Sequence, residues 1–190
     1  MKEIFRKRLE KNPNICAVKD VDNIDEALSS DAEIIFCLCG NIFNLSEIVE
    51  KVKNKGKLIF IHVDLIEGFS KDATALKYIC DKIKPDGIIS TKNNLLKVAK
   101  ELGFLTVQRL FIIDSLSIDT TVKTSAMINP DAIEILPGIM PRIIKQLSNT
   151  LTVPVIVGGL ISEREDIVKA TENGALGVST SSKNLWRNEQ

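Results

Sequence analysis

Eight short apolar runs punctuate the chain at nearly even spacing, at 15–19, 34–39, 58–65, 87–91, 105–112, 132–136, 153–158 and 175–179. Each is β-branched or alternates with period two, and helix-period segments lie between them. Leu45, Ile48, Val49 and Val52 fall on one helical face, as do Leu95, Val98, Ala99 and Leu102. Ser162 to Glu165 reads as an S-x-x-E capping box ahead of Ile167, Val168 and Ala170. The repeated unit is strand then helix, and right-handed crossovers turn such repeats into a closed barrel or an open doubly wound sheet.

Eight units in 190 residues leave room only for short connections, which favours closure into a compact (β/α)8 TIM-like barrel of class α/β. Such barrels usually need about 200 residues or more, so this one is expected to be trimmed, with residues 184–190 too short for a full last helix. Met1 to Glu10, carrying Ile4, Phe5 and Leu9, reads as a leading helix that plugs the barrel bottom. No linker, low-complexity tract or composition shift divides the chain, so residues 1–190 are expected to form one domain.

Lysine plus arginine equals aspartate plus glutamate at 25 each, so no bulk charge points to nucleic acid or membrane. Met1 to Asn12 lacks the apolar region of a secretory peptide, and no stretch approaches the roughly 18 apolar residues of a membrane span. The expectation is a soluble cytoplasmic protein without membrane contact. Cys16, Cys37, Cys39 and Cys80 follow no metal or redox spacing and read as reduced, mostly buried small hydrophobes. One histidine cannot build a His-rich metal site, and no spacing of Asp20, Asp64 and Glu67 is diagnostic of a hard cation.

In barrels of this kind ligands bind at the C-terminal strand ends, and phosphate commonly sits where the loops after strands 7 and 8 meet a helix N-terminus. VPVIVGGLIS at 153–162 and ALGVSTSSKNLW at 175–186 end in glycine or small polar residues in those two places. Gly158, Gly159, Ser179 and Thr180 are therefore the expected phosphate cradle, since glycine lets backbone approach an anion closely. The other strand ends supply Lys19, Asp20, His62, Asp64, Lys92, Gln108, Arg109 and Glu134, a mixture of cations and hydrogen-bonding acids suited to a small phosphorylated polyol. His62 shares a face with Asp64 and serves equally as a core histidine or a ligand contact. Ser90-Thr91 before Lys92 fits N-capping as well as a pocket role, and Asp114 fits capping better.

The runs HVDLIEGFSKD at 62–72, DGIISTK at 86–92, QRLFIIDS at 108–115, IEILPGIMP at 133–141 and PVIVGGLIS at 154–162 resemble the glycerol-3-phosphate-responsive antiterminator family, regulators of glycerol uptake operons. AVKD at 17–20 and GVSTSSKNLW at 177–186 fit the same pattern, so the resemblance spans essentially the whole chain. It implies a barrel that binds sn-glycerol 3-phosphate as effector, with no cofactor, and acts on leader mRNA of glycerol-utilisation operons so that a terminator is bypassed. It implies no catalytic residues. The rival reading is a phosphate-binding barrel enzyme, an isomerase, aldolase or transferase, drawing on Lys19, Asp20, His62, Asp64, Lys92 and Glu134. RNA contact would need local cations, and the candidates are Lys2, Arg6, Lys7, Arg8 and Lys11, then Lys51, Lys53, Lys55 and Lys57, then Arg142 with Lys145. Formation of a homo-oligomer would supply the larger surface that a neutral small barrel lacks.

Overall fold

The structure is a computed structural model that describes residues 1–187. Its strands are β1 (Asn14–Val18), β2 (Ile34–Cys37), β3 (Leu58–His62), β4 (Gly87–Ser90), β5 (Leu105–Phe111), β6 (Ala132–Leu136), β7 (Val155–Gly158) and β8 (Gly177–Thr180). All pair in parallel in chain order, and β8 returns to β1 through Ile15 opposite Ser179, which closes the barrel. The protein is a TIM barrel. Around it lie α2 (Ile24–Leu28), α3 (Leu45–Asn54), α4 (Ala73–Tyr78, continued by a π-helical turn Ile79–Ile83), α5 (Asn93–Glu101), α6 (Ser115–Ile128), α7 (Pro141–Thr150) and α8 (Arg164–Glu172). The helix α1 (Lys2–Lys11) precedes them all.

Strand period two sorts the side chains into two shells. Inside, Ile15, Phe36, Phe60, Ile89, Val107 and Ile156 fill the barrel with the plug residues Phe5 and Leu9 of α1. Phe60 packs against Phe5 at 4.7 Å and Phe36 at 5.6 Å between ring centroids. Its ring occupies the space a side chain on the opposing Gly87 would need, since a Cβ there would lie 2.3 Å from the ring. Gly177 likewise makes room for Leu9. Ile4 does not join the plug: it is exposed, one residue and so about 100° around the helix from the buried face of Phe5 and Leu9.

Outside, the outward strand residues meet the apolar helix faces in two clusters, one around α2 to α5 and one around α7 and α8. Leu45, Ile48, Val49 and Val52 are all buried there, as the periodicity requires. Among the described residues the last βα unit has only a 3-10 turn, Lys183–Leu185, in place of a helix. Leu185 enters one cluster and Trp186 the other, so two large side chains do what an eighth helix would do by covering the seam. The Trp186 indole N–H anchors to the Thr180 carbonyl at 2.8 Å.

Strand boundaries are tighter than the apolar runs. β3 stops at His62 rather than 65, and β2 at Cys37 rather than 39, because the ladder ends where the chain turns into the mouth loops. Helix α8 is capped one position later than its sequence signature indicates. Glu163 is the N-cap and Asp166 the reciprocal partner, accepting from the N–H groups of Ser162 and Glu163 at 3.0 Å each. All four cysteines are free thiols, Cys16 and Cys37 buried. Among the described residues no helix is long and apolar enough to cross a membrane.

Candidate functional site

At the C-terminal mouth, between β1, β5, β6, β7 and β8, lies a cavity of about 110 Å³. Inward alternation places its walls: Ala17 and Lys19 follow Ile15 on the inner face of β1, Arg109 follows Val107 on β5, and Glu134 and Leu136 follow Ala132 on β6. Leu38, Ser179 to Ser181 and Gly159 to Ile161 complete the lining.

Glu134 is the centre of this wall. It is completely buried, accepting from the Arg109 Nε–H at 2.6 Å through one oxygen and from the Ser179 hydroxyl at 2.5 Å through the other. A carboxyl group is tolerated there because an almost equally buried guanidinium faces it and both oxygens are bonded. Gly158 makes the arrangement possible: a Cβ at that position would stand 2.3 Å from the Ser179 hydroxyl and 2.8 Å from the Glu134 carboxylate. Gly158 therefore acts as the spacer behind the polar cluster.

The two loops above it are tied together. Gly138 N–H donates to the Gly159 carbonyl at 3.0 Å, and the Thr180 and Ser182 hydroxyls both donate to the Ile161 carbonyl, at 2.8 and 3.2 Å. Gly159 and Leu160 are successive left-handed residues, with φ of 74° and 62°. Consecutive residues of this kind turn amide groups outward, and among the described residues the N–H groups of Gly159, Leu160 and Ser181 have no acceptor in the protein. The anion-ready groups belong to the loops. The first turn of α8 is already occupied by its own acids, Glu163 and Asp166, and β8 leads into a single short turn. At these two strand ends the N–H groups without an acceptor are thus loop amides rather than those of a helix end.

The structure divides the sequence candidates. Lys19, Arg109, Glu134, Gly159, Ser179 and Thr180 line the cavity, with Gly158 directly behind. Asp20, His62, Asp64, Lys92 and Gln108 do not. Gln108 neighbours Arg109 on a strand and so faces the other way, donating to Asn93 at 2.9 Å under α5. Asp20 is exposed and accepts from Asp22 N–H, capping a short turn. Lys92 is exposed at the start of α5. Asp64 accepts from the Ser90 hydroxyl, the Thr91 N–H at 2.8 Å and the Thr91 hydroxyl, stitching the loops after β3 and β4. Asp114 caps α6 in a reciprocal box with Ser117.

His62 faces the barrel interior, 2% exposed, its Nδ1 without a partner and 3.7 Å from Asp64. Burial first, and the Arg109 charge second, push its pKa down to about 4, with Asp64 opposing only in part. It is a neutral imidazole at physiological pH. The apolar lining Ala17, Leu38, Leu136, Leu160 and Ile161 lies outside the reach of any rule that looks for polar strand ends. Its signal is the alternation that puts Ala17 on the face of Lys19 and Leu136 on the face of Glu134.

The candidate basic clusters are largely consumed by the fold. Lys2, Arg6, Lys7, Arg8 and Lys11 pair with Asp131, Glu10, Glu3 and Glu33 at the plugged end. Lys51 pairs with Asp25, Lys53 with Asp86, and Lys57 donates to the carbonyls of Ser30 and Ala32. Among the described residues Lys55, Arg142 and Lys145 keep exposed side chains with no ion-pair partner.

Comparison with known proteins agrees with this fold. A solved structure of the glycerol uptake operon antiterminator regulatory protein from Listeria monocytogenes superposes with a TM-score of 0.87 at 35% identity, over 92% of this chain and 95% of the other. A glycerol uptake operon antiterminator-related protein from Thermotoga maritima gives 0.80 at 29% identity, over 91% and 96%. The protein YgcP of Escherichia coli K12, described as uncharacterized, is 43% identical over 178 residues, 94% of this chain and 93% of that one. The family described as glycerol-3-phosphate responsive antiterminator matches residues 14–186. Over essentially its whole barrel, this chain belongs to the glycerol-3-phosphate responsive antiterminator family.

Proposed function

We propose that this protein senses sn-glycerol 3-phosphate and, when loaded, acts in the cytoplasm on leader mRNA of glycerol-utilisation operons so that a terminator is bypassed. The observation that carries the reading is the match of residues 14–186 to a glycerol-3-phosphate responsive family, joined to a small cavity with two cations on its walls. At about 110 Å³ the cavity is far below the roughly 300–1,000 Å³ of pockets for drug-sized ligands, which suits a three-carbon phosphomonoester. In this reading the phosphate sits against the amides of the Gly159 and Ser181 turns with Ser179 and Thr180 beside it. Lys19 balances its charge, and the glycerol hydroxyls reach Arg109 and Glu134.

A regulatory role is supported by how the acid–base groups are committed. Glu134 has both oxygens engaged and His62 is held neutral behind the cavity, which leaves Lys19, among the described residues, as the charged side chain on the lining with no ion-pair partner. Loading can promote RNA binding only if the metabolite prefers the RNA-competent state, and RNA must then tighten the metabolite by the same factor. Calorimetry with sn-glycerol 3-phosphate, its enantiomer, glycerol and inorganic phosphate tests the first half. Selective binding of the phosphomonoester without turnover is expected, followed by ligand-dependent retention of a glycerol-operon leader RNA. Absence of binding would defeat the sensor reading, and turnover would move the protein to the enzymes.

A further inference from the structure

Two of the four thiols stand side by side at the edge of the cavity. β2 ends at Cys37, and its ladder carries on for one more bond, the Leu38 N–H donating to the Val18 carbonyl at 2.8 Å. The inward and outward alternation continues with it. Phe36 and Leu38 pack with the inner cluster, whereas Cys37 and Cys39 pack with the outer one. Both sulfurs therefore lie on one side of the chain, and Leu38 between them forms part of the cavity wall. The Cys37 thiol donates to the Cys39 carbonyl at 3.2 Å, and the two side chains are within hydrogen-bonding reach of each other.

The two thiols are unequal. Cys37 is completely buried, while Cys39 is only half-buried. Hydrogen bonding from Cys37 holds the Cys39 thiol below its ordinary range, with burial and the Asp20 charge opposing in part. The same contact first, and burial second, push the Cys37 thiol well above that range. An accessible thiol disposed to ionise thus sits against a sheltered one, the arrangement of an attacking and a resolving cysteine. The other two cysteines are placed differently. Cys16 lies against the Ser30 hydroxyl, burial pushing its thiol up to about 11, and Cys80 donates to the Leu102 carbonyl.

We propose that Cys37 and Cys39 form a peroxide-responsive dithiol whose oxidation to a disulfide remodels the Leu38 wall of the cavity. First, the Cys39 thiolate attacks one oxygen of hydrogen peroxide; an S–O bond forms, the O–O bond breaks, and the departing hydroxide takes up a proton as water. The Cys37 sulfur then attacks the sulfur of the Cys39 sulfenic acid. An S–S bond forms, the S–O bond breaks, and the leaving hydroxide carries off the Cys37 proton as a second water. The sulfur pair gives up two electrons and the peroxide is reduced to two waters. Two residues of extended chain span at most roughly 6.6–7.2 Å between Cα atoms, near the outer limit of the roughly 4.4–6.8 Å that a disulfide bridges. Closure therefore draws the backbone in at Leu38, the residue that lines the cavity. Because closure works against the extended strand, the bond stays reducible by small thiols, as suits a transient switch in a reducing compartment. The movement acts on the wall itself, whichever metabolite the cavity takes.

Treatment of the full chain with hydrogen peroxide, read by intact mass and peptide mapping, tests the chemistry, with circular dichroism as the check on folding. The expected result is a loss of two hydrogen atoms confined to one peptide carrying both Cys37 and Cys39, reversed by dithiothreitol, while Cys16 and Cys80 stay thiols. Cys37→Ala should stop at a Cys39 sulfenic acid that dimedone traps, and Cys39→Ala should leave Cys37 unoxidised. Amide exchange by nuclear magnetic resonance reads the wall. The Leu38 N–H, bonded to Val18 in the reduced protein, should exchange several-fold faster once the disulfide forms and stay near the reduced rate in peroxide-treated Cys37→Ala. A dithiol that survives the peroxide, a Cys80 that reacts as readily as Cys39, or a disulfide that leaves the Leu38 amide unchanged would each overturn the proposal.

Discussion

At the level of single residues, the cavity wall depends on one buried charge balance. Glu134 and Arg109 neutralise each other out of water, and removing either leaves the other unpaired. Glu134→Ala should therefore destabilise the protein by about 3–5 kcal/mol in urea unfolding, while Glu134→Gln, which keeps two polar atoms facing Arg109 and Ser179, should cost clearly less. Equal losses in the two variants would show that the charge is not what matters. His62 sets a pH dependence. Its imidazole stays neutral in the folded barrel down to about pH 4, whereas a histidine in the unfolded chain titrates near 6.5. Unfolding takes up a proton between those values, so this contribution is complete above about pH 6.5 and is lost as pH falls toward about 4, by up to about 3 kcal/mol. Urea midpoints at pH 7 and 4.5 should separate by less in His62→Gln than in the parent. Of the candidate residues, Lys19, Arg109, Glu134 and Gly159 line the cavity, because inward strand positions near the C-terminal end have nowhere else to point. Gln108 and Arg109 show the limit: both are polar at one strand end, but period two allows only one of them inside.

At the level of elements, α1 plugs one end of the barrel and the closing turn covers the seam outside β8, with a few large side chains each. Phe5 is 1% exposed against Phe60, at the plugged end and away from the cavity. Phe5→Ala should cost about 3–5 kcal/mol of stability while leaving metabolite affinity unchanged, a pairing of results that urea titration and calorimetry check together. A change in affinity would mean that the plug communicates with the mouth. The helical stripes of α3 and α5 were legible because burial follows the 3.6-residue period. The capping of α8 was not, since Ser162, Glu163 and Glu165 all satisfy the local chemistry and the path of the loop chooses among them. That choice matters, because the acids that cap α8 take the place an anion would otherwise occupy at its first turn.

At the level of the whole molecule, a ligand that binds only the folded barrel must stabilise it by mass action. At 100 times its dissociation constant, sn-glycerol 3-phosphate should add about 2.7 kcal/mol, a rise in Tm of about 5–10 °C for a chain of this size. Lys19→Ala or Arg109→Ala should abolish the rise in a thermal scan, and a full response in both would place the ligand elsewhere. The barrel itself was readable from the sequence. Eight apolar runs separated by helical stripes in 190 residues admit few other parallel arrangements, because each strand must bury both faces and each connection must cross right-handed. The linear chain could not decide which polar groups would meet. Glu134 bonds Ser179 across 45 positions, Gly158 keeps clear of both, and the first basic cluster is spent on acids beneath the plug. These are contacts between side chains brought together only when the ring closes. Local sequence sets the period and the turns, but distance between remote residues is a property of the closed barrel.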